Sequence, residues 1–489
     1  MKISISYPPL ESAKGVPLLS QNRQFQWFNN PTYIYPVVPA YAASLLAARG
    51  HEVFWDDGIA EELSFDRWFA RLKHEQPDLM ALESKTPVIK RHWEIIKTIK
   101  RACSWNPLIV LFGDHVTALP QESLENSPVD YVITGGDYDF VLADLCDYVS
   151  AANPQSAIPG GVWYRANGSI ASTGKPDLHH VLDNLPGIDR DLTQWKRYAY
   201  KNGNFKYTPG TYVMAGRDCW WGACTFCAWT CLYPANTYRT ISVEKHLDEI
   251  GRLIKDYGIR EIFDDSGCFP TGGWLEEFCR GIIRKGYHKQ VVLGCNMRCG
   301  ALSEEEWRLM RYANFRFVLI GLESVNQATL DRLQKGITVS QIEETLRLAK
   351  SAGLEPHVTV MVGYPWETKE DADNTIAFAK KMFAKGYIHT LQATIVVPYP
   401  GTPMFDEARN KNWLTTEDWD RYDMKQSVWK SPVSRADVLR LTRKLYKTAL
   451  SPGVIARRLC SIRNIDDLRF MCRAGVKVLA HIADFTQSR

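Results

Sequence analysis

The chain has 489 residues, of which 45% are hydrophobic and 23% charged, so its composition is that of a globular protein and excludes a disordered or fibrous one. Its 59 basic and 55 acidic residues give a formal net charge of +4, which excludes a global field directed at nucleic acid. The length predicts roughly two to four domains, and the apolar runs are shorter than the roughly 20 residues of a membrane-spanning helix.

Residues 1–150 alternate short apolar stretches with helical patterns, and the predicted strands are 3–5, 52–55, 79–82, 108–112 and 131–133. Strands that alternate with helices predict a doubly wound parallel sheet, whose ligands bind where the strands end. Here the strand ends carry Pro, Ser, Thr, His and paired Gly. Small residues let a broad ligand approach the backbone, and ordinary loop chemistry is the alternative explanation. A dinucleotide is not favoured, because no GxGxxG follows the first strand.

Residues 151–205 are rich in Pro, Gly, Asn and Asp and predict a hairpin and linker between two domains. A second βα series follows over 206–410, with strands predicted at 212–214, 261–263, 291–293, 315–320, 358–362 and 394–397. Six βα repeats are fewer than the eight of a complete TIM barrel, so we expect a partial (β/α)6 barrel with its chemistry at the carboxyl ends of the strands. The tail, 411–489, is predicted to be helical.

Twelve cysteines are too few for a disulfide scaffold at this length, so we expect a reducing, cytoplasmic location. Three of them, Cys219, Cys224 and Cys227, lie within nine residues just after the first strand of the second series. Three thiolates at this spacing can hold one face of a [4Fe–4S] cube and leave its fourth iron open to a small molecule. A zinc site, for which Cys231 is the nearest fourth ligand, and a reduced structural cluster are the alternatives.

This segment resembles the cysteine motif of the radical S-adenosylmethionine (radical SAM) enzymes, and Phe226 occupies the motif's usual aromatic position. Further segments that look like motifs of that family are 263–267, 296–298, 321–324, 363–368 and 398–403, and together they span most of the second series. The resemblance implies that SAM is bound at Phe226, Asp264, Asp265, Ser266, Gly267, Asn296, Arg298, Glu323 and Gly363.

The sequence departs from the family's pattern in two places. The usual spacing is CxxxCxxC, whereas four residues separate Cys219 from Cys224 and give CxxxxCxxC. The added residue enlarges a loop that includes Gly222, and such a loop can still hold a cube. The pair Asp264 and Asp265 stands where the family has a Gly-Gly turn, so a carboxylate can replace backbone carbonyls as the partner of the SAM amino group.

The resemblance implies that one-electron reduction of SAM at the cluster releases methionine and a 5′-deoxyadenosyl radical, which abstracts hydrogen from unactivated carbon. The protein binds and orients the cofactor and the substrate and excludes water, since the cofactor itself supplies the radical chemistry. An electron donor such as flavodoxin or ferredoxin is also implied. No catalytic side chain can be named from the sequence.

A doubly wound domain directly before a radical SAM core resembles the cobalamin-binding subclass of this superfamily. The resemblance places the corrinoid at Ser84, Thr86, Gly113, His115, Thr117, Thr134, Gly135 and Gly136. The DxHxxG motif that supplies an axial histidine in cobalamin mutases is absent, as is usual in this subclass, and His115 is either a lower axial ligand or a solvated loop residue. A degenerate domain that only shapes the substrate pocket is the alternative.

This subclass implies a C-methyltransferase, in which a substrate radical takes the methyl group of the corrinoid and a second SAM replaces it. The subclass also includes ring-forming and oxidative cyclases, so cyclisation or oxidation without methyl transfer is the second hypothesis. A corrinoid-binding module without turnover is the third, and the intact cysteine triad argues against it. A tRNA methylthiotransferase is disfavoured, because no second cysteine triad occurs upstream.

The other cysteines fall into two groups. Cys268, Cys295 and Cys299 lie at predicted strand ends near the SAM site, where a second cluster or a catalytic thiol is one hypothesis and apolar packing is the other. The cysteines in helical patterns are predicted to be core residues, namely Cys103, Cys146, Cys279, Cys460 and Cys472.

From Ser431 onward, basic residues outnumber acidic ones and interleave with leucine, isoleucine and valine. Such helices can lie on an anionic membrane surface or form a solvated cap over the barrel. Together with the abundant aromatic residues, this tail favours a hydrophobic or polycyclic small-molecule substrate, such as a lipid or a tetrapyrrole, over a peptide. We expect no nucleic acid, and a peripheral membrane contact through the tail is one hypothesis beside the solvated cap.

Overall fold

The structure is a computed structural model that describes residues 1–17, 27–150, 157–235, 237–448 and 450–484. Two segments that carry predictions lie outside these residues: the start of the predicted linker, 151–156, and the end of the basic tail, 485–489.

The N-terminal region contains nine strands in its described residues, β1 (Lys2–Tyr7), β2 (Val16–Pro17), β3 (Trp27–Phe28), β4 (Glu52–Asp57), β5 (Leu79–Glu83), β6 (Leu108–Phe112), β7 (Tyr131–Ile133), β8 (Val162–Ala166) and β9 (Ser169–Ser172). The helices of the same residues are α1 (Val37–Ala48), α2 (Phe65–Glu75), α3 (Ile89–Ala102), α4 (Asp114–Ala118), α5 (Pro120–Asn126) and α6 (Tyr138–Val149).

The first sheet has the strand order β4-β1-β5-β6-β7-β8-β9, and its first five strands are parallel. Every residue of β5 is buried, as expected of a parallel strand covered by helices on both faces. The doubly wound sheet predicted from the sequence is therefore present. The hairpin that we predicted within the linker forms β8 and β9, and it pairs antiparallel with the free edge of β7. The first sheet thus continues beyond residue 150 to Ser172.

The second region contains the strands β10 (Gly210–Val213), β11 (Gly216–Arg217), β12 (Arg239–Thr240), β13 (Glu261–Asp264), β14 (Val292–Met297), β15 (Phe315–Glu323), β16 (Glu355–Val362) and β17 (Thr390–Ile395). The helices from this region to the tail are α7 (Lys196–Ala199), α8 (Trp229–Leu232), α9 (Val243–Tyr257), α10 (Gly273–Arg284), α11 (Glu304–Tyr312), α12 (Gln327–Arg332), α13 (Val339–Ser351), α14 (Lys369–Lys385), α15 (Pro403–Asn410), α16 (Arg435–Thr448), α17 (Pro452–Cys460) and α18 (Ile465–Asp484).

The second sheet has the order β10-β13-β14-β15-β16-β17 with parallel pairing throughout, which is the partial (β/α)6 barrel that the sequence predicts. The last strand begins earlier than predicted, because Thr390 pairs with His357 of β16 and the chain leaves the sheet before the Pro398 turn. Three barrel helices begin with capping boxes that the sequence encodes locally: Ser303 with Glu306, Thr338 with Gln341 and Thr368 with Asp371.

The tail is less helical than predicted, since residues 411–434 form loops with one bridge between Leu414 and Trp429 and a short 3₁₀ turn. Helix α16 packs on the barrel, where the Tyr446 hydroxyl donates to the Ala393 carbonyl of β17 at 3.1 Å. Among the described residues, no helix combines the length and the apolar character needed to cross a bilayer. The core assignment of Cys460 and Cys472 is wrong, because both lie on the exposed sides of their helices.

Candidate active site

The loop with Cys219, Cys224 and Cys227 leaves the second sheet after β10 and the short strand β11. Asp218 and Gly222 adopt left-handed backbone conformations, with φ of 71° and 59°, and they bend the chain on both sides of Cys219. All three cysteines are partly exposed. The four residues between Cys219 and Cys224 therefore form part of a tight bend, and the cysteines stay partly exposed.

Backbone hydrogen bonds tie this loop to two other strand ends. The Thr225 N–H donates to the Leu333 carbonyl at 3.0 Å, just beyond α12. The Met404 N–H, in the first turn of α15, donates to the Thr225 carbonyl at 2.9 Å. The cysteine loop is thus positioned by segments that follow β15 and β17, two strands of the same barrel.

The three sulfurs lie in different environments. Hydrogen bonds from the Cys268 thiol and from the backbone N–H groups of residues 222 and 221 lower the pKa of Cys219 to about 6. Burial raises the pKa of Cys224, and it raises that of Cys227 to about 12, although the nearby Lys335 ammonium opposes both shifts. A metal centre would therefore displace protons from at least two of the thiols when it binds.

The arrangement of these thiols distinguishes a cube from a single ion. In the part of the chain that the structure describes, no three His, Cys, Asp or Glu side chains converge as ligands of one metal ion. A structural zinc site needs such a group of four. A [4Fe–4S] cube takes each thiolate on a different iron, so its ligands surround the whole cube. The three partly exposed thiols lie on one bent loop, and their assignment as ligands of a cube stays a prediction.

The turn after β13 and the entry to the cysteine loop form one hydrogen-bonded unit. Asp264 accepts from the Ala215 N–H at 2.8 Å and, through its other oxygen, from the Ser266 N–H at 3.0 Å. The Ser266 hydroxyl oxygen accepts from the Gly216 N–H, and the Asn296 amide donates to the Ser266 carbonyl, both at 2.8 Å. The structure therefore brings together three of the predicted SAM-binding residues from β13 and β14.

Gly267 lies directly against the cysteine loop, since a Cβ at this position would be only 3.1 Å from the Cβ of Cys219. Asp264 uses both carboxylate oxygens to hold backbone N–H groups, so its role is structural. The prediction that a carboxylate receives the SAM amino group therefore rests on Asp265, which is also buried at this turn.

Two further predicted residues lie over the cysteine loop. The Arg298 guanidinium is 3.8 Å from the ring centroid of Trp221, a residue of that loop. Glu323, with φ of 63°, forms an ion pair with Lys335 at 2.9 Å, and the Lys335 ammonium is 5.6 Å from the ring centroid of Phe226. Sequence reasoning missed Lys335, because a lone lysine between motifs carries no signal.

Gly363, at the end of β16, is covered by the tail. Its φ is 99°, and its carbonyl accepts a hydrogen bond from the Trp429 indole N–H at 2.9 Å. A Cβ at Gly363 would lie 3.4 Å from the Val438 side chain of α16. Residues beyond the barrel therefore complete the wall near this predicted SAM contact.

The loops at the carboxyl edge of the first sheet are hydrogen-bonded to one another. Gly113 has φ of 123°, and a Cβ there would lie 2.3 Å from the Ser84 carbonyl oxygen. The Thr117 hydroxyl donates to the Gly113 carbonyl at 2.7 Å and accepts from the Gly135 N–H at 3.1 Å. The Thr134 hydroxyl donates at 2.8 Å to a backbone carbonyl just before β8. The predicted corrinoid-binding residues thus form one continuous edge.

His115 is fully buried on this edge, so the expectation of a solvated loop residue is wrong. Its Nδ1 lies 3.1 Å from the Thr86 hydroxyl and its Nε2 lies 3.0 Å from a Glu122 carboxylate oxygen. The Trp419 indole N–H donates to the other Glu122 oxygen at 2.9 Å and packs edge-on against the histidine ring. Ligation of a corrinoid by His115 would require one of its two hydrogen bonds to break.

The edges of the two sheets meet at the helix that follows the cysteine loop. The Tyr233 hydroxyl, at the end of α8, donates to the Gly136 carbonyl at 3.0 Å, and the Gly136 N–H donates to the Leu232 carbonyl at 3.0 Å. A Cβ at Gly136 would lie 2.0 Å from the Tyr233 ring. The small residues of this loop therefore admit an aromatic side chain of the barrel.

Five charged residues, which we call the ionic junction, lie beside this contact. Arg217 donates to both oxygens of Asp139, with one distance of 2.7 Å, and Arg239 donates to both oxygens of Asp137 at 2.7 and 2.9 Å. His180 Nδ1 is 2.9 Å from Asp137. Burial alone would raise the pKa of Asp137, but hydrogen bonds from His180 and Arg239 hold it well below its ordinary value. Sequence reasoning missed the junction, because nothing in the sequence shows that residues near 138 and 217 pair.

Comparison with protein families shows which class this site belongs to. Residues 213–379 match the family described as the radical SAM superfamily. An uncharacterized methyltransferase of Pyrococcus horikoshii is 28% identical over 449 residues, which cover 91% of this chain and 92% of that protein. An anaerobic magnesium-protoporphyrin IX monomethyl ester cyclase of Cereibacter sphaeroides is 25% identical over 418 residues, 83% of this chain and 65% of that protein. The chain carries a radical SAM domain, as its cysteine motif predicts.

Two solved structures are similar to this chain over nearly its whole length, so the similarity includes both domains. The cobalamin-dependent radical enzyme OxsB, solved with aqua-cobalamin and SAM bound, superposes with a TM-score of 0.71 at 14% identity over 98% of this chain and 71% of that chain. The radical SAM methyltransferase TsrM of Kitasatospora setae, solved with cobalamin and a [4Fe–4S] cluster, gives 0.69 at 13% identity and covers 99% of both chains. The predicted fold, a doubly wound domain followed by a partial barrel, is confirmed.

Proposed function

We propose that this radical SAM enzyme is cobalamin-dependent and methylates an unactivated carbon of a hydrophobic or polycyclic small molecule. The observation that carries the proposal is the contact between Tyr233, directly after the cysteine loop, and Gly136, at the carboxyl edge of the first sheet. A reaction that combines a radical source with a second cofactor needs both sites to face one space. The methyltransferase among the relatives supports methyl transfer, and the cyclase supports cyclisation or oxidation as the second candidate.

The residues that we propose for each group follow the geometry above. Cys219, Cys224 and Cys227 would hold the cluster, and SAM would be bound by Phe226, Asp265, Gly267, Arg298, Glu323 and Gly363, with Asp264, Ser266 and Asn296 holding the turn. Cobalamin would lie against the loops with Ser84, Thr86, Gly113, His115, Thr117, Thr134, Gly135 and Gly136. When bound, the cluster and SAM supply a radical that removes hydrogen, and cobalamin supplies a methyl group.

The chain's own contribution is to position the cofactors and to enclose the site. The bent loop carries three partly exposed thiols, and the Arg298 guanidinium and the Lys335–Glu323 pair place charges near this loop. Trp221 and Trp429 add aromatic walls at two strand ends. These residues bind and orient the cofactors, and none of them is assigned as a hydrogen donor or acceptor.

We also propose an electron donor such as flavodoxin or ferredoxin, a cytoplasmic location and a peripheral membrane contact. All twelve cysteines lie in the described residues and none is in a disulfide, which supports a reducing compartment. The polycyclic substrate class is supported by the magnesium-protoporphyrin ester named in the cyclase relative.

The first experiment is anaerobic purification with cobalamin supplied, followed by visible spectra and metal analysis. About four irons and about one cobalt per chain are expected. Iron without cobalt would retain the radical chemistry, would reduce the first domain to a substrate or structural role and would contradict the methylation proposal.

Turnover separates the two candidate reactions even before the substrate is identified in full. Extracts that contain hydrophobic or tetrapyrrole metabolites are incubated with the reduced enzyme and SAM. Methylation consumes two SAM molecules and leaves both 5′-deoxyadenosine and S-adenosylhomocysteine, whereas cyclisation or oxidation leaves 5′-deoxyadenosine alone. Accumulation of S-adenosylhomocysteine therefore supports methylation, and its absence during turnover contradicts it.

A further inference from the structure

The last two helices expose an apolar surface that the barrel does not cover. Six side chains form it, which we call the apolar stripe: Ile455, Leu459, Ile465, Leu468, Val476 and Leu479. Their exposed fractions range from 42% for Ile455 to 60% for Leu479. Large apolar side chains clustered in this way mark an interaction site, whereas single ones are ordinary.

The stripe follows one side of α18. Ile465, Leu468, Val476 and Leu479 are separated by three, eight and three residues, and the exposed Cys472 lies between them, so all five lie on one helical face. This face is apolar although it is turned to solvent, and Ile455 and Leu459 of the preceding helix α17 are exposed as well.

The opposite face of α18 fixes the orientation of the helix. Phe470 is buried, and the Arg316 guanidinium lies 5.6 Å from its ring centroid. The Arg473 guanidinium donates to the Phe205 carbonyl at 3.1 Å, and the Lys477 ammonium donates to a carbonyl near β3 at 3.3 Å. Because these contacts hold α18 against the body, the stripe is directed outward.

The charge around the stripe is positive. Residues 450–480 contain six basic and two acidic side chains. Both acidic ones turn toward the body, where Asp466 pairs with Arg260 at 2.7 Å and Asp467 pairs with Lys206 at 2.6 Å. Arg463 and Arg469, in contrast, are exposed. Within residues 450–480, the apolar surface therefore carries the exposed cations Arg463 and Arg469 while both carboxylates face the body, which makes it complementary to an anionic lipid headgroup layer.

We propose that the apolar stripe docks on the surface of a bilayer that contains anionic lipids, with Arg463 and Arg469 against the lipid phosphates. A second copy of the chain is the less favourable occupant, because a two-fold interface would bring two positively charged faces together. This inference rests on the peripheral membrane contact proposed above and names its surface and its lipid partner. It does not depend on the cofactor chemistry, although docking at a membrane would give a lipid-like substrate a short route to the enzyme.

The test is cosedimentation of the full-length holoenzyme with vesicles of phosphatidylcholine alone or mixed with phosphatidylglycerol. The protein is expected to bind the anionic vesicles and to be released by salt, because the cations contribute through a screened interaction. The triple variant L468D/V476D/L479D should bind more weakly by at least on the order of a thousandfold, since each of its three lost apolar side chains removes at least roughly tenfold. The matched control V181D/Y312D changes apolar residues that are exposed elsewhere and should bind like the wild type.

Three results would overturn the proposal: no binding of the wild-type protein to anionic vesicles, binding that the triple variant retains, or a dimer that the triple variant converts to a monomer. If the triple variant does not fold, a fluorophore on the exposed Cys472 in a C460S background replaces it. A blue shift of the label with anionic vesicles supports docking, and an unchanged spectrum contradicts it. Iron and cobalt contents measured on the same samples keep failure of docking distinct from failure of the proposed chemistry.

Discussion

Both sheets present the carboxyl ends of parallel strands along one edge, but the two edges are filled in different ways. At the first sheet, the small residues lie against protein groups, with the Ser84 carbonyl at Gly113 and the Tyr233 ring at Gly136. At the second sheet, the turn residues bond to one another and leave the three cysteines partly exposed. A glycine at a strand end therefore has two explanations, close packing and cofactor approach, and the sequence alone does not separate them.

The two edges are also connected to each other by buried charges. The ionic junction connects them through carboxylates that are fully buried, with the Arg217 guanidinium nearly buried and that of Arg239 partly exposed. Such a network is satisfied only in one relative position of its partners, since each buried charge needs its own hydrogen bonds. The junction thus acts as a positioning device between the two edges, beside the contact of Tyr233 with Gly136.

The largest expected effect is at the second edge. C219A, C224A or C227A should each lower the iron content by roughly an order of magnitude after anaerobic purification, because the cube loses a thiolate ligand. Cleavage of SAM to 5′-deoxyadenosine should be lost with it. C231A is the matched control, since Cys231 lies four residues beyond the motif and should be dispensable. A triad variant that keeps its iron and its SAM cleavage would refute the cluster assignment.

The next effect is at the ionic junction. R217M leaves Asp139 without its charged partner in a buried site, which is expected to destabilise the fold by about 3–5 kcal/mol, measured as a lower urea midpoint. R280M removes an exposed pair with Glu276 and should change stability by less than about 0.5 kcal/mol. Equal midpoints for the two variants would show that the junction contributes nothing. If R217M does not fold, the milder R239Q is compared with R280M instead.

Much of the fold could be predicted, because its signals are local. Capping residues such as Thr338 and Thr368 begin helices within a few residues of their partners, and buried parallel strands are continuous apolar runs. The cysteine motif is also local, so the sequence is enough to predict the triad and the turn at Asp264. Tyr233 and Lys335 were not found, because their roles depend on contacts between distant segments.

The burial of His115 shows the same limit. In sequence it follows a polar turn, which is typical of a solvated side chain, and its partners lie on α5 and in a loop roughly 300 residues away. Residues 411–434 were expected to be helical, yet they form the loops that supply Trp419 and Trp429 to the two strand-end edges. Composition predicted the amphipathic helices of the tail and gave no sign of these loops.

A smaller loss of stability is expected at the Gly136 contact. It tests whether this glycine serves close packing or the approach of a cofactor. G136A should destabilise the cofactor-free protein by about 1–3 kcal/mol, because the new methyl group would overlap the buried Tyr233 ring. G273A is the control, since no atom lies within 4 Å of its position and alanine suits a helix start. A G136A protein of normal stability that takes up less cobalamin would instead assign this glycine to the cofactor.

The smallest effect is a pH dependence at the edge of the junction. Burial would lower the pKa of His180, but its hydrogen bond to Asp137 raises it above the ordinary value. A raised folded-state pKa means that the pair stabilises the protein fully below about pH 6.5 and loses this contribution as pH rises through the raised value. H180Q should therefore lower the urea midpoint more at about pH 5.5 than at about pH 9, by less than about 1 kcal/mol because the side chain is partly exposed. The His180 ring stacks on Phe140 with their centroids 4.3 Å apart. If H180Q loses the same stability at both pH values, His180 contributes only this packing. The junction would then hold its two edges through the arginines alone.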